Sequence, residues 1–322
     1  MTKVLLVLSA AAMLTIGCNK ALQSNDKPNE TATAPMLHRQ CSSNDVLQQQ
    51  LADDPQLAVR MQQIETLTQQ VELSRRLPDG TIEIPVVVNV LYKTAAQNVS
   101  VAQIQSQIDV LNKDFGATNT DYNNTPSLFA SVRSGNTGIK FVLDQIIRKS
   151  TNVNSWSTND AVKKTSQGGL NPTSPSTKMN LWVCNLGGGI LGYAQFPGGA
   201  LATDGVVITH TGFGTTGTAA APFNKGRTAT HEVGHYLNLR HIWGDANCGS
   251  DLVGDTPNHN TANYGCPAFP HLSTCSGTPT EMTMNYMDYT DDACMYMFSA
   301  GQKTRMLAVF ATGGPRNTMA QP

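Results

Sequence analysis

Apolar residues are distributed very unevenly along this chain of 322 residues. After Lys3 an apolar run extends from Val4 to Gly17, broken only by Ser9 and Thr15. That length suits the hydrophobic segment of an export signal and is too short to cross a bilayer. Asn19 to Pro35 is polar and reads as a flexible tether. From about Val46 to Leu73 apolar positions recur irregularly at spacings that suit a helix. Ser74-Arg75-Arg76-Leu77-Pro78-Asp79-Gly80 is a polar, turn-forming boundary. Thr81 to Tyr92, rich in Ile and Val, predicts a buried strand, and Val101 to Asp114 has helical spacing. Ile139 to Ile147 and Met179 to Leu186 predict further strands. Gly187-Gly188-Gly189 leads into Leu191 to Pro197, and Thr203-Asp204-Gly205 turns the chain into the short strand Val206-Val207-Ile208. Gly212 to Ala221 reads as a flexible loop, and the next helix begins near Thr228 or Thr230, either of which is a candidate N-cap.

These segments divide the chain into an export signal over 1–18, a tether and pro-segment over 19–74, and one mixed α+β domain over 75–322. The last of these has roughly 250 residues, a size suited to two lobes around one core. A formal net charge of −1, with no basic block, argues against a nucleic-acid partner. The signal predicts export. Thr15-Ile16-Gly17-Cys18 resembles a loose bacterial lipobox, so Cys18 is a candidate for lipidation and the chain's one expected link to a membrane. Ordinary signal cleavage, leaving a secreted protein, is the other reading. The chain is expected to be monomeric.

The most informative residues are His231-Glu232-Val233-Gly234-His235, with His241 beyond them. A helix advances about 3.6 residues per turn, so His231 and His235 share a face and can aim two imidazoles at one metal ion. Glu232, next to the first His, is placed to act as a base toward water beside that ion. His241 cannot join them on a straight helix; the chain must turn back first. Three imidazoles and a water-handling carboxylate point to a zinc hydrolase. The spacing is that of the metzincin motif, with Asn238 where Gly is usual; Asn is the non-Gly residue that best tolerates the left-handed region such a turn needs.

With Asn285-Tyr286-Met287-Asp288-Tyr289-Thr290-Asp291-Asp292-Ala293-Cys294 downstream, the chain resembles the pappalysin family of metzincins, particularly its secreted bacterial and archaeal members. The resemblance spans nearly everything after the signal. It implies the metzincin fold: a twisted, mostly parallel sheet with the active-site helix in an upper lobe to about residue 241, then a loop-rich lower lobe containing a Met-turn. It implies that Met287 forms the floor beneath the metal, that Tyr289 assists the transition state, and that Gly192, Tyr193 and Ala194 offer a sheet edge to substrate. It further implies that Asp292 lines the S1′ pocket and selects Arg, then Lys. An ordinary solvated loop charge is the alternative for Asp292.

Besides Cys18 there are six cysteines, which by arithmetic alone allow fifteen pairings. The family pattern implies Cys248–Cys275 and Cys266–Cys294. Cys41, in Leu37-His38-Arg39-Gln40-Cys41-Ser42, matches the placement of the family's cysteine switch, in which a thiolate holds the zinc of a latent zymogen. A Cys41–Cys184 disulfide is the competing possibility. If the switch holds, cleavage must remove it, and Ser74–Arg75 offers the Arg that the S1′ pocket would accept. Asp245, Asp251, Asp255 and Thr256 lie in a turn-rich acidic loop, where relatives bind calcium; Asp251, Asp255 and Thr256 are the candidate ligands here.

The expected activity is therefore that of a secreted zinc endopeptidase acting on protein or peptide substrates. Two other classes share part of this pattern: a zinc amidase of cell-wall peptides, and a non-catalytic surface binding protein that keeps zinc structurally.

Overall fold

The computed structural model describes residues 38–74, with side chains to 72, and residues 80–320. Cys18 and Arg75 lie outside the described residues, and Ser74 closes a helix whose final side chains are not described. The 46–73 segment is two helices, not one: α1 (Ser43–Asp53) and α2 (Gln56–Ser74). Pro55 explains the break. Its ring drives the preceding residue out of the helical region, and Asp54 is extended at φ −135° and ψ 90°.

Five strands form one sheet in the order β2-β1-β3-β5-β4. They are β1 (Ile82–Tyr92), β2 (Ile139–Ser150), β3 (Met179–Cys184), β4 (Gly192–Ala194) and β5 (Val206–Thr209). β1, β2, β3 and β5 pair in parallel, and only β4, at one edge, runs antiparallel to its neighbour. Parallel strands are covered on both faces, which is why β3 and β5 are buried at every residue and are apolar except at Asn180 and Thr209. The helix α3 (Val101–Phe115) begins at Ser100, whose hydroxyl accepts from the Gln103 amide, and packs on β2.

Behind α3 lies α4 (Arg227–Tyr236), buried along its whole length. Its N-cap is Gly226, at φ 75°, so neither Thr228 nor Thr230 caps it. Both threonines are inside the helix, and Thr230 Oγ1 donates to Asp114 of α3 at 2.8 Å. The preceding loop is not free either. Gln103 donates to Phe213 O at 2.8 Å, and Gln107 both donates to Gly226 O and accepts from the Gly214 amide. Two buried glutamines of α3 thus fasten a stretch whose composition alone reads as flexible.

Past α4 the chain has little regular structure until α5 (Ala300–Ala308), which opens with a Ser299/Gln302 capping box. The intervening region is stapled by Cys248–Cys275 and Cys266–Cys294, the two pairings the family pattern implies. Cys41 and Cys184 are both free. Cys184 is buried in β3, so the alternative disulfide is absent.

Candidate active site

The end of α4 explains how three histidines meet. Asn238 takes φ 74°, and the Leu239 amide folds back to Gly234 O at 2.9 Å. Arg305 of α5 holds the turn by donating to Asn238 O at 2.8 Å. Arg316 donates to Tyr236 O at 2.9 Å and forms a two-pronged ion pair with Asp204. The reversed chain then brings His241 back to the helix. His235 Nε2 lies 3.1 Å from both His231 Nε2 and His241 Nε2.

Each imidazole is oriented through its other nitrogen. His231 Nδ1 meets Tyr286 O at 2.7 Å, His235 Nδ1 meets Leu239 O at 2.8 Å, and His241 Nδ1 meets Asp245 Oδ1 at 2.5 Å. These contacts leave all three Nε2 atoms to converge, as outer partners of metal-bound histidines do. Asp245 therefore serves His241 rather than the acidic loop it seemed to belong to. Burial and the neighbouring imidazoles push His235 down to about 3 and His231 well below its usual range, so both stay neutral and able to donate lone pairs.

Cys41 Sγ is the fourth member: one ligand atom from each of Cys41, His231, His235 and His241 lies within 4.8 Å of the rest. Tetrahedral zinc with bonds of about 2.0–2.1 Å to nitrogen sets its nitrogens roughly 3.3 Å apart, so the observed spacing fits. An N₃S donor set is also characteristic of zinc. The residues present fit the ion.

Glu232 is buried and its carboxylate Oε2 accepts from Ser43 Oγ at 2.8 Å, with Cys41 Sγ at 3.3 Å. Burial pushes Glu232 up to about 7, against the lowering effect of Ser43, Cys41 and the Arg39 charge. Gly192 faces this carboxylate so closely that an added Cβ would lie 2.9 Å from Glu232 Cγ. Met287 is fully buried against Gly234, where a Cβ would meet its Sδ at 2.4 Å. Asn285, linked to α5 by reciprocal bonds with Gln302, accepts from the Met287 amide and shapes the turn. Tyr289 stands with its ring 4.9 Å from that of His241, and its hydroxyl donates to Cys41 O at 2.9 Å.

The segment before α1 crosses this centre. Leu191 N donates to Gln40 O, Ser42 N donates to Gly192 O, and Ala194 N donates to Ser43 Oγ, so the segment pairs with the β4 edge and runs parallel to it. Gly192 and Ala194 offer main-chain groups to that edge, whereas the Tyr193 side chain points into the core behind the sheet. Asp292 is fully buried, not a solvated charge. Its Oδ2 accepts from the Lys225 and Arg227 amides, and its Oδ1 receives Arg39 Nη2 at 2.6 Å. The same guanidinium reaches Thr228 Oγ1 and Thr290 O at 3.1 Å each and sits 5.0 Å from the Phe223 ring centre.

The acidic loop stays apart from this centre. Asp251 is buried and both its oxygens accept from Thr256 Oγ1, but Asp255 turns to α5, accepting from Ser299 Oγ and the Gly301 amide. Among the described residues, the zinc cluster is the one group of three or more His, Cys, Asp or Glu whose ligand atoms all lie within 4.8 Å of one another. The roles of Arg39, Ser43, Thr228 and Asp245 at this centre escaped the sequence reading, which took Thr228 for a candidate helix cap and Asp245 for a member of the acidic loop. Arg39 had one signal, a cation two residues before the candidate switch cysteine, and Asp245 another, its place four residues after His241; Ser43 and Thr228 had none, because each acts through a partner remote in sequence.

A zinc-type histidine cluster on a metzincin fold defines a metalloprotease. The family model for peptidase M43, described as pregnancy-associated plasma protein-A, matches residues 174–311. An extracellular metalloprotease of Verticillium alfalfae is 34% identical over 239 residues, which are 70% of this chain and 77% of the relative. Among solved structures, a promirolysin mutant of Tannerella forsythia superposes with a TM-score of 0.80 at 46% identity, covering 88% of this chain and 97% of that one. Mature mirolysin of the same organism, in complex with a cleaved peptide, gives 0.73 at 49% identity over 76% and 97%. This chain belongs to the pappalysin family of metallopeptidases.

Proposed function

We propose that the protein is an exported zinc endopeptidase, made as a latent zymogen, that cleaves peptide bonds before Arg and, less readily, Lys. His231, His235 and His241 would hold the zinc ion, which when bound acidifies water and polarises a carbonyl. Glu232 takes a proton from the attacking water and passes it to the departing amine. Tyr289 donates a hydrogen bond from its hydroxyl to the substrate carbonyl oxygen as charge builds there, and keeps its proton. The β4 edge orders the substrate backbone. Asp292, with Thr228 and Thr290 O, receives the side chain after the scissile bond. A guanidinium satisfies all three acceptors at once, whereas an ammonium is a single point charge, which supports Arg over Lys.

The observation that carries this reading is the seating of Arg39 on Asp292 while Cys41 closes the histidine cluster. A peptide of this chain occupies the cleft as an Arg-containing ligand would. That occupancy favours a peptide substrate over a cell-wall amide, and the retained Glu232 disfavours a purely structural zinc site.

Latency follows from the same contacts: Cys41 fills the fourth ligand position, Ser43 engages the base, and Arg39 plugs the pocket. The proposed division is signal 1–18, pro-segment to 74 and enzyme 75–322, with self-cleavage at Ser74–Arg75. Lipidation of Cys18 would tether only the uncut form. Asp251 and Thr256 remain proposed calcium ligands, without Asp255; a rise in Tm on adding calcium to EGTA-treated protein tests this.

Mass-spectrometric mapping of cuts in a peptide library, with wild type beside Glu232→Ala, tests the whole. Cuts before Arg that vanish in the variant are expected. A processed, zinc-loaded wild type that cuts nothing would overturn the reading.

A further inference from the structure

The residue before Arg39 also has a seat. His38 lies with its ring centre 4.8 Å from that of Tyr264, the planes at 66°, an edge-to-face pair. Tyr264 is 45% exposed, and its ring centre lies 6.0 Å from that of Tyr289. Because His38 precedes Arg39, whose guanidinium sits on Asp292, Tyr264 stands beside the proposed S1′ pocket.

Chain polarity decides which substrate residue would meet it. The pro-segment runs parallel to β4, as the pairing of Cys41 with Gly192 shows. A substrate cut before its Arg must put the residue preceding that Arg at the histidine cluster, whereas in the pro-segment the residue there, Cys41, follows Arg39; the substrate in the reading above therefore runs antiparallel to β4. Leaving the histidine cluster, the pro-segment passes Cys41, Gln40, Arg39 and His38 in reverse chain order. A substrate of opposite polarity passes the same places in forward order, so the residue following its Arg reaches the place of His38.

The platform is also well held. Asp288 Oδ1 accepts from the Asn263 amide and the Tyr289 amide at 2.8 Å each, tying the residue before Tyr264 to the tyrosine of the active centre. Asn263 Nδ2 adds bonds to Glu281 and to Asp288. On the other side, Gly265 O accepts from the Asp291 amide, and Cys266 is bonded to Cys294. Tyr264 thus presents a half-exposed aromatic ring on a loop secured at both ends. Such a ring recognises another flat ring at little ordering cost.

We infer that Tyr264 forms the S2′ platform of this enzyme and that it selects a flat ring, aromatic or imidazole, immediately after the Arg. The inference rests on the proposed reading of Asp292 as the S1′ pocket.

The test uses processed enzyme and a peptide series with Arg fixed after the scissile bond and Phe, His, Leu, Ala or Asp next to it. Edge-to-face pairing predicts that kcat/KM for Phe and His exceeds that for Ala by about two- to twelvefold. In Tyr264→Leu that ratio should collapse toward the value for Leu against Ala, and in Tyr264→Phe it should persist. Ratios within one enzyme preparation cancel any loss of folded protein. Arg-directed cleavage with the same ranking at the next position in wild type and Tyr264→Leu would overturn the Tyr264 assignment alone. Absence of Arg-directed cleavage would instead remove the reading on which it stands.

Discussion

Removing the guanidinium of Arg39 should loosen the pro-segment while leaving the zinc-binding side chains intact. In the closed form Arg39 is 1% exposed and Asp292 is fully buried, with Nη2 and Oδ1 2.6 Å apart. Two further hydrogen bonds and the Phe223 ring complete its seat. Breaking a buried ion pair by deleting one partner costs about 3–5 kcal/mol. Opening the cleft lets water reach Asp292, so that cost falls on the closed state alone. At about 1.4 kcal/mol per factor of ten, the open fraction should rise roughly a hundred- to several thousand-fold until it saturates. The assay is the initial rate on a short fluorogenic Arg peptide, using full-length chains in which Arg75→Ala and Arg76→Ala block processing. Arg39→Ala in that background should turn over substrate at least about a hundred times faster than its parent. Arg39→Lys, retaining the charge but not the fork, should fall between them. An Arg39→Ala protein as silent as its parent, beside an active Cys41→Ala control, would refute the idea that the Asp292 contact contributes to latency.

Three other outcomes are expected. Thr228→Val removes a guanidinium acceptor that an ammonium does not need, so the Arg-to-Lys ratio of kcat/KM should fall by about tenfold or more, as for one hydrogen bond to a charged group; an unchanged ratio counts against the three-acceptor pocket. Gly234→Ala forces a methyl to within 2.4 Å of Met287 Sδ and should destabilise the fold by about 1–3 kcal/mol in urea titration, an effect that Met287→Ala in the same chain should relieve. Burial pushes Asp114 up from 3.8 to about 6 against the pull of Arg227 and Thr230. A raised carboxyl in the folded state binds protons that the unfolded chain has released, so its contribution to stability falls as pH rises between those values. The Tm of Asp114→Asn minus that of wild type should therefore increase from pH 4 to pH 7, and a flat or decreasing difference would contradict the burial of an ionisable Asp114.

Legibility in the sequence followed the range of the interactions. The core strands and α3 announced themselves through local periodicity, to within a few residues at their ends. Pro55 was there to be read, yet the helical spacing on either side of it masked the break between α1 and α2. The cap of α4 was misplaced because Gly226 lacks the polar side chain that signals a cap, while Thr228 and Thr230 have it but spend it on Arg39 and Asp114. The Gly212–Ala221 loop read as flexible because its fasteners, Gln103 and Gln107, belong to another element.

The candidate site divides along the same line. His231, Glu232 and His235 lie within one turn of helix, so their convergence follows from helical geometry, and Asn238 already marked the reversal that returns His241. Met287, Tyr289 and Asp292 were legible as a spaced motif, but only through resemblance. Nothing local tells that Arg39 finds Asp292 across 253 positions, or that Ser43 reaches Glu232. Local spacing constrains residues joined by a few stiff bonds. Contacts between distant segments depend on how the sheet, α4 and the stapled lobe pack, and short polar side chains such as Thr228 and Ser43 acquire their roles only once that packing has removed the water around them.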